Sequence, residues 1–403
     1  MNSNKTTWTI KYALLNISYF IAFCTIHAYA AVYLLAHGFT NTQVGILLAA
    51  ANISSAVCQP LVAGLIDKPG PVTNRRFICF SVIVILAGSL LLMFAGDNKL
   101  LIFPVYAIIY MIQFTYQPVM TALCFEYQKS GCGIMYGLSR GLGSAGFAVT
   151  SAVIGGVVEK NGVSTLLYVN IAAMLISIVL IALFSKPKNA SGSEVKTEEK
   201  KSTEGSAHNN LLEFAKLYPS YTLFLLAAVC FFFAHNMIND FMIQIIRSLG
   251  GAETELGYAN FLQAILELPV MAAIALILKK ISAKNLLLIS GIAFLVKTII
   301  LIFAQNMAAM YISQSFQLLA YAVFIPAAAY YVNETMEELD QVKGQAFITT
   351  AITVGGIFSN FISGRILDSL GVRPMLITGA VVCAVGVVIA FIALNKRSAS
   401  SRH

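Results

Sequence analysis

Residues 64–76 read Gly-Leu-Ile-Asp-Lys-Pro-Gly-Pro-Val-Thr-Asn-Arg-Arg, a short charged loop between two apolar runs. The run before the loop covers residues 42–66, the run after it covers residues 77–95, and neither contains an Asp, Glu, Lys or Arg. Both runs have the length of about 20 residues that a helix needs to cross the hydrocarbon core of a bilayer. The sequence therefore predicts two membrane helices joined by a loop at the membrane surface.

The composition of the whole chain excludes most other classes of protein. Of its 403 residues, 58% are hydrophobic and only 11% are charged, which leaves too little charge to cover the surface of soluble domains. The net charge of +8 does not indicate nucleic-acid binding, because the basic residues lie in short loops. Most of the seven cysteines lie in apolar runs without metal or redox spacing. We therefore expect a multi-pass membrane protein without a cofactor or metal.

Ten further apolar runs bring the total to twelve. We predict an all-α membrane protein of twelve transmembrane helices in two pseudo-symmetric six-helix bundles, since one polar stretch of residues 185–210 divides the runs into six and six. The predicted domains are an N-terminal bundle of residues 1–185, a linker of residues 186–215 and a C-terminal bundle of residues 216–403. The twelve predicted helices cover residues 12–36, 42–66, 77–95, 100–125, 136–158, 164–185, 220–246, 256–278, 285–304, 307–332, 344–367 and 374–394.

The basic residues predict the orientation of the chain. If both termini lie on one side, 19 of the 26 Lys and Arg residues fall on that side, five fall on the other, and Arg140 and Lys297 fall within helices. Cytoplasmic loops carry the excess of Lys and Arg in membrane proteins. We therefore expect both termini in the cytoplasm, in the inner or plasma membrane of the cell.

The two halves repeat each other. Residues 42–45, Thr-Gln-Val-Gly, return 212 positions later as Thr-Glu-Leu-Gly at residues 254–257. A separation of 209 relates glycines of the fifth and eleventh helices: Gly146 with Gly355, and Gly155 with Gly364. Parallel repeats of this kind are typical of secondary transporters that bind a solute between their halves.

The loop at residues 64–76 resembles the G-x-x-x-D-[RK]-x-G-x-[RK]-[RK] signature of the major facilitator superfamily, stretched by about two residues. Residues 44–68 and the fifth helix, with Arg140 and Phe147, are similar to the lactose permease branch of oligosaccharide–proton symporters. The resemblance implies that Arg140 contacts sugar hydroxyls and that Phe147 stacks on the sugar ring. The Lys, His and Glu that these symporters carry in the tenth helix have no counterparts, because Gln314, Gln317 and Ala320 occupy that stretch.

Ionisable residues inside the helices are the candidates for proton coupling. An ionised side chain near the bilayer centre is unfavourable by several kcal/mol, so it usually faces the bundle interior and has a function. Glu267 in the eighth helix, Lys297 in the ninth and Asp240 in the seventh fit this description. The alternative for Glu267 and Lys297 is a static ion pair that holds helices together.

Polar side chains at helical spacing are the candidates for substrate binding, with hydrogen bonding between helices as the alternative. They are Arg140, Glu126, Gln113, Asn239, Gln314 and Gln317, and the resemblance adds the aromatic Phe147 to this set. Arg140 and Glu126 are expected to pair. Asn239 lies one turn from His235, for which the structural role is slightly favoured, and His27 is a weaker candidate still. The charged loop predicts a conformational latch made of Gly64, Asp67, Lys68, Arg75 and Arg76.

We therefore predict a secondary active transporter that moves a small polar solute, first of all a sugar or oligosaccharide, by alternating access and proton symport. Import of a nucleoside or an aromatic or organic acid, and efflux of drugs or other organic solutes, are alternatives within the superfamily. A polytopic membrane enzyme is disfavoured because no nucleophile or metal cluster is found, and the absence of a Walker A motif argues against ATP. The expected partners are the solute, protons and the lipid bilayer, with no nucleic acid and a monomeric state.

Overall fold

The computed structural model describes residues 2–68, 70–185 and 211–395. The predicted linker of residues 186–215 lies almost wholly outside these ranges. Within them the chain is helical, and the helices of its first half are α1 Asn2–Phe23, α2 Ala30–Ala36, α3 Asn41–Ile66, α4 Asn74–Met93, α5 Lys99–Lys129, α6 Tyr136–Asn161 and α7 Ser164–Leu183. A π-helical segment, Cys24–Ala28, joins α1 to α2.

The second half begins with α8 Leu211–Leu217 and continues with α9 Pro219–Asp240, α10 Met242–Ser248, α11 Glu253–Leu278, α12 Ala283–Ile302, α13 Met307–Ser315, α14 Tyr321–Thr335, α15 Glu338–Leu370 and α16 Val372–Asn395. A single 3-10 turn, Phe316–Leu318, separates α13 from α14.

Eleven helical stretches in the described residues are long and apolar enough to cross a membrane. The helix α11, with 26 residues, occupies the position of the remaining predicted crossing. The prediction of an all-α membrane protein with twelve crossing helices is therefore confirmed. Three predicted helices are interrupted: residues 12–36 divide into α1, the π-helical segment and α2, residues 220–246 divide into α9 and α10, and residues 307–332 divide into α13, the 3-10 turn and α14.

The described residues form two compact units. The first contains residues 2–185 together with 242–265, and the second contains residues 211–241 together with 266–395. Residues 242–265 thus group with the N-terminal helices. The bundles predicted from the sequence did not include this grouping. The predicted domain boundaries at residues 185 and 216 stay a prediction.

Equivalent helices pack in equivalent ways in the two halves. In the first unit α1 packs on α6 and α7, and in the second unit α9 packs on α15 and α16. A Cβ added to Gly146 of α6 would lie 3.2 Å from Cγ2 of Ile17, and one added to Gly355 of α15 would lie 2.6 Å from the carbonyl oxygen of Val229. These two glycines, related by the repeat, thus allow the same close approach between a pair of helices.

The repeated motifs at residues 42–45 and 254–257 form the same helix start. At the start of α3, the side chain of Gln43 accepts a hydrogen bond from the backbone N–H of Thr40 at 3.0 Å. At the start of α11, the side chain of Glu255 accepts from the backbone N–H of Ala252 at 2.7 Å. Each bond satisfies a donor that the helix itself leaves unpaired. The motif was therefore retained in both halves at positions where it begins a helix.

Candidate functional site

Three side chains of the second unit form a hydrogen-bonded chain. Nζ of Lys297 donates to Oε1 of Gln317 at 2.9 Å, and Nε2 of Gln317 donates to Oε1 of Glu267 at 3.1 Å. Lys297 and Gln317 are buried, at 0% and 2% exposure, whereas Glu267 is partly exposed. Because a buried ammonium group requires compensation, the amide of Gln317 and the charge of Glu267 together make the position of Lys297 tolerable.

Three different elements hold this chain in place. Glu267 belongs to α11, Lys297 to α12, and Gln317 to the 3-10 turn between α13 and α14. Oγ of Ser313 also donates to the carbonyl oxygen of Lys297 at 2.9 Å, which fixes α13 against α12. A stretch of 3-10 helix within a longer helix often marks a hinge. The position of Gln317 on such a stretch allows the amide to move relative to the two charged groups.

A second polar group of the same unit surrounds His235 of α9. Its ring stacks on Tyr321 at 5.2 Å, and its Nε2 lies 2.9 Å from Nδ2 of Asn239. Lys297 is close enough to His235 to act on it electrostatically. The neighbouring Asp240 is partly exposed and faces Asn360 of α15. The structure therefore places Asn239, which was predicted to bind substrate, beside His235. Asp240, which was predicted for proton coupling, follows it at the end of α9, and both roles stay predictions.

Gln314 lies in the same region but is fully buried. Its Nε2 lies 3.6 Å from Sδ of Met310, one turn earlier on α13. Substrate binding by Gln314 stays a prediction.

An aromatic cluster lies in the first unit where α1 gives way to the π-helical segment. The rings of Phe23 and His27 stack with their centroids 4.0 Å apart and an angle of 13° between the planes. Tyr110 and Phe114 of α5 contact the His27 ring at centroid distances of 3.8 Å and 4.4 Å. Phe23 and Phe114 are partly exposed, so the cluster also forms part of the surface of the unit.

The two site residues implied by the family resemblance adjoin this cluster. The guanidinium group of Arg140 lies 4.2 Å from the centre of the Phe20 ring, and its Nη1 donates to Oγ of Ser144 at 3.2 Å. Phe147 lies one helical turn beyond Ser144, and its ring is 6.4 Å from that of Phe23. Arg140 and Phe147 are partly exposed. A cation and several aromatic faces are thus presented together, which suits a planar solute that carries polar groups.

Gln113 lies behind the aromatic cluster and is fully buried. Its Nε2 donates to Oδ1 of Asn170 at 3.4 Å, and Nδ2 of Asn170 in turn donates to Oγ of Ser89 at 2.7 Å. The other amide atom, Oε1 of Gln113, has no hydrogen-bond partner. Gln113 therefore supports the aromatic cluster from behind and has one unused acceptor on the side of His27.

The expected ion pair of Arg140 with Glu126 stays a prediction. The structure gives both residues other partners: Arg140 contacts Ser144 and Phe20, whereas Oε2 of Glu126 accepts from Nδ2 of Asn74 at 2.9 Å. Because Asn74 begins α4, this hydrogen bond ties the end of the charged loop to α5. Glu126 thus contacts the predicted latch.

The latch residues differ in what they contact. Arg75 donates to the carbonyl oxygens of Ile181 and Ala182, at 3.1 Å and 3.2 Å, and so caps the last turn of α7. Arg76 donates to the carbonyl oxygen of Pro71 at 2.8 Å. The remaining three, Gly64, Asp67 and Lys68, are exposed at the end of α3. The contacts of Arg75 and Asn74 hold the loop against its own unit, and the conformational role of the latch stays a prediction.

The residue that sequence reasoning undervalued is His27. Phe23 and His27 are four residues apart in the sequence, and so are Tyr110 and Phe114. Residues at this spacing lie on one face of a helix, so each pair can be recognised in the sequence. Such pairs are common in ordinary cores, and only the folded structure shows that these two meet around an imidazole.

Comparison with known proteins adds to this geometry. The sequence profile described as the MFS_1 like family matches residues 9–394. The chain belongs to this family. Its fold and its relatives make it a secondary transporter of the major facilitator type and not an enzyme.

Among the curated relatives, the uncharacterized transporter YwbF of Bacillus subtilis (strain 168) is 23% identical over 336 residues, which cover 83% of this chain and 80% of YwbF. Among solved structures, the nucleoside transporter NupG superposes with a TM-score of 0.78 at 15% identity, over 97% of this chain and 100% of NupG. A point mutant of NupG superposes with a TM-score of 0.79 at 14% identity, over 96% and 99% of the two chains. At these identities the likeness to NupG shows the shared MFS fold.

Proposed function

We propose that this MFS_1 like protein imports a small polar solute with a planar ring, of the nucleoside class, by proton-coupled symport. The observation that carries the proposal is the aromatic surface of the first unit, where Phe23, Phe114 and Phe147 adjoin the guanidinium group of Arg140. Aromatic faces favour a planar ring, and the fork of donors on Arg140 suits the hydroxyl groups of an attached sugar. The fold shared with a nucleoside transporter supports the same class of solute.

Proton coupling is assigned to the chain of Lys297, Gln317 and Glu267. When Glu267 is ionised, it helps to compensate the buried charge of Lys297 through Gln317. Uptake of a proton by Glu267 removes that compensation, so Lys297 must find another partner or lose its own proton. Because the balance of charge in this unit then changes, protonation favours a different arrangement of Glu267, α12 and the 3-10 turn.

The membrane and the orientation complete the proposal. The asymmetry of Lys and Arg supports an orientation with both termini in the cytoplasm, in the inner or plasma membrane of the cell. The monomer is the proposed transport unit, and its partners are the solute, the proton and the bilayer.

Transport in proteoliposomes tests this function. We expect labelled nucleoside to accumulate above its external concentration when the outside is made acidic, and a protonophore to abolish the accumulation. Nucleosides should raise the melting temperature of the purified protein, because a ligand that binds only the folded state stabilises it. Accumulation of an oligosaccharide and not of a nucleoside would contradict the substrate class, and proton-driven export would contradict the direction.

A sugar remains the second candidate, on the strength of Arg140 and Phe147, which resemble the site of the oligosaccharide symporters. Because nucleosides contain a sugar, the two solutes share contacts with Arg140. Nucleosides and sugars differ in how they can contact the aromatic surface. The planar ring of a base can stack on it completely, whereas a sugar ring offers only one face for such a contact. A direct comparison of uridine with ribose and with lactose separates the two candidates.

A further inference from the structure

His27 occupies an unusual position in the first unit. Both of its ring nitrogens are buried and neither has a hydrogen-bond partner. Phe23 stacks on the ring, Tyr110 lies against it at a tilt, and Phe114 meets it edge-on. A buried polar group without a partner is unfavourable. Such a group calls for an explanation when it stands beside a candidate binding surface.

The backbone at His27 is also unusual. Residues Cys24–Ala28 form a π-helical segment, and π-helical turns within α-helices occur frequently at functional sites. The wider π-helical turn directs the side chain of His27 toward α5. Gln113 of α5 lies next to His27 and the two side chains interact. Neither the ring nitrogens of His27 nor the buried Oε1 of Gln113 makes a well-formed hydrogen bond, however. Two incompletely satisfied polar groups from two helices therefore meet behind one aromatic surface.

The geometry restricts what these groups can bind. Because aromatic rings cover the two faces of the imidazole, a ligand can use His27 only through hydrogen bonds at the ring edge. A neutral imidazole offers one donor and one acceptor, and Oε1 of Gln113 offers an acceptor. Adjacent N–H and C=O groups complement this set. They are the groups on the base-pairing edge of uracil and of other bases that contain a cyclic amide.

We propose that His27 and Gln113 hydrogen-bond the polar edge of a nucleobase that contains a cyclic amide, after Phe23 and Phe114 have moved aside to admit it. The inference rests on the proposed function, because it assigns the base of a nucleoside to one part of the aromatic surface. Arg140 and Ser144 then contact the ribose. The unpaired state of His27 in the present structure favours the bound state, in which its nitrogens gain partners.

Binding of uridine and 3-methyluridine to the full-length protein in detergent tests the inference. The two ligands have the same ribose, but the methyl group removes the N–H donor of the base. We expect wild-type protein to bind uridine roughly tenfold more tightly, the size of one buried hydrogen bond. In His27→Phe, which keeps an aromatic ring inside the cluster, uridine should bind more weakly and the preference should disappear. His27→Gln, which keeps a donor and an acceptor, should restore part of it.

The matched control is His37→Phe, because Nδ1 of His37 lies 2.8 Å from the carbonyl oxygen of Tyr33, outside the aromatic cluster. This variant should bind both ligands like the wild type. If the wild type binds uridine but does not distinguish it from 3-methyluridine, or if His27→Phe and His27→Gln both keep the full preference, the role of His27 is refuted while the proposed function stands. If no nucleoside binds the wild type, the proposed function and this inference both fail.

Discussion

Gln317 is the residue on which the coupling site depends, since its single amide joins a carboxylate on one helix to a buried ammonium group on another. Nζ of Lys297 donates to its oxygen, and its nitrogen donates to Glu267. An amide cannot change its charge, so under the proposed coupling it responds to the state of Glu267 by turning or moving. In that proposal the group that gains and releases the proton is Glu267, whose side chain is partly exposed.

We expect Glu267→Gln to abolish the uphill accumulation of solute while leaving downhill exchange intact. The variant keeps the size and an acceptor for Gln317, but it can no longer gain or release a proton. Accumulation and exchange measured in the same proteoliposomes check the prediction. Glu334→Gln, at an exposed position of α14, is the control and should accumulate solute like the wild type. Uphill accumulation by Glu267→Gln would exclude Glu267 as the proton carrier.

Gln317→Leu should destabilise the protein and uncouple it. The substitution removes the acceptor of Lys297, and leaving a buried donor unpaired is unfavourable by about 1–3 kcal/mol. We expect a lower melting temperature and leakage of protons without solute. Gln341→Leu provides the comparison, because Gln341 donates to the carbonyl oxygens of Asn333 and Met336 and lies outside the chain of Lys297, Gln317 and Glu267. A Gln317→Leu protein with wild-type stability and tight coupling would show that the amide does not join the two groups.

Single residues also show what the sequence could predict. Glu267 and Lys297 were recognisable because a charge in an apolar run stands out, and the structure brings them together through Gln317. The role of Gln317 was not predictable, because it depends on the 3-10 turn that directs its side chain between α11 and α12. His27 was undervalued for a similar reason, since its cluster forms only when α1 and α5 pack.

The helices themselves were largely predictable, because hydropathy alone determines which runs enter a bilayer. The interruptions were not. The π-helical segment Cys24–Ala28, the break between α9 and α10 and the 3-10 turn Phe316–Leu318 all lie within apolar runs without a distinctive composition. In such runs the local hydrogen-bond pattern is determined by packing against other helices. All three interruptions adjoin residues assigned to binding or coupling.

The crossing of α6 and α11 depends on glycine. A Cβ added to Gly257 would lie 2.3 Å from the carbonyl oxygen of Ser151, a distance that no side chain tolerates. We expect Gly257→Ala to force the two helices apart at this end, at a cost of about 1–3 kcal/mol for an overpacked contact. Spin labels at exposed positions 160 of α6 and 258 of α11, in a cysteine-free background, should report a longer distance.

Gly137→Ala on α6 is the control for this change. An added Cβ at Gly137 meets no atom within 4 Å, so the substitution should leave the label distance unaltered. An unchanged distance in Gly257→Ala as well would show that the close approach of the two helices does not require glycine.

The charged loop acts through the end of α7. Arg75 donates to two of the last carbonyl groups of α7, which receive no hydrogen bond from an N–H group of the helix. The positive charge of Arg75 also interacts favourably with the negative end of the helix dipole. We expect Arg75→Gln to lower stability by about 1 kcal/mol and to slow transport. Thermal unfolding and initial uptake rates check this, with Lys160→Gln, at an exposed position outside the predicted latch, as control. If the two variants had equal uptake rates and equal stabilities, the charged loop would affect only the orientation of the chain in the membrane.

At the scale of the whole molecule, the repeat explains why sequence could predict so much. Each half contains the same helix start, at Gln43 and Glu255, and the same close approach, at Gly146 and Gly355. In a duplicated unit each sequence feature occurs twice. Weak residue matches between the two halves therefore become significant when several of them are separated by the same number of positions. The two halves differ in chemistry: the aromatic surface lies in the first unit and the charged chain in the second. The proposed function therefore assigns solute binding to the first unit and proton coupling to the second.

The orientation of the molecule follows from charge and can be tested directly. With 19 Lys and Arg residues assigned to one side and five to the other, insertion with both termini in the cytoplasm keeps most positive charge on the side where cells retain it. Alkaline phosphatase fused after Gly162, in the turn between α6 and α7, should be active in a bacterial host, because this turn lies on the opposite side from the termini. The same enzyme fused after residue 403 should be inactive, and green fluorescent protein there should fluoresce. The reverse pattern would place the termini outside and would contradict the proposed orientation.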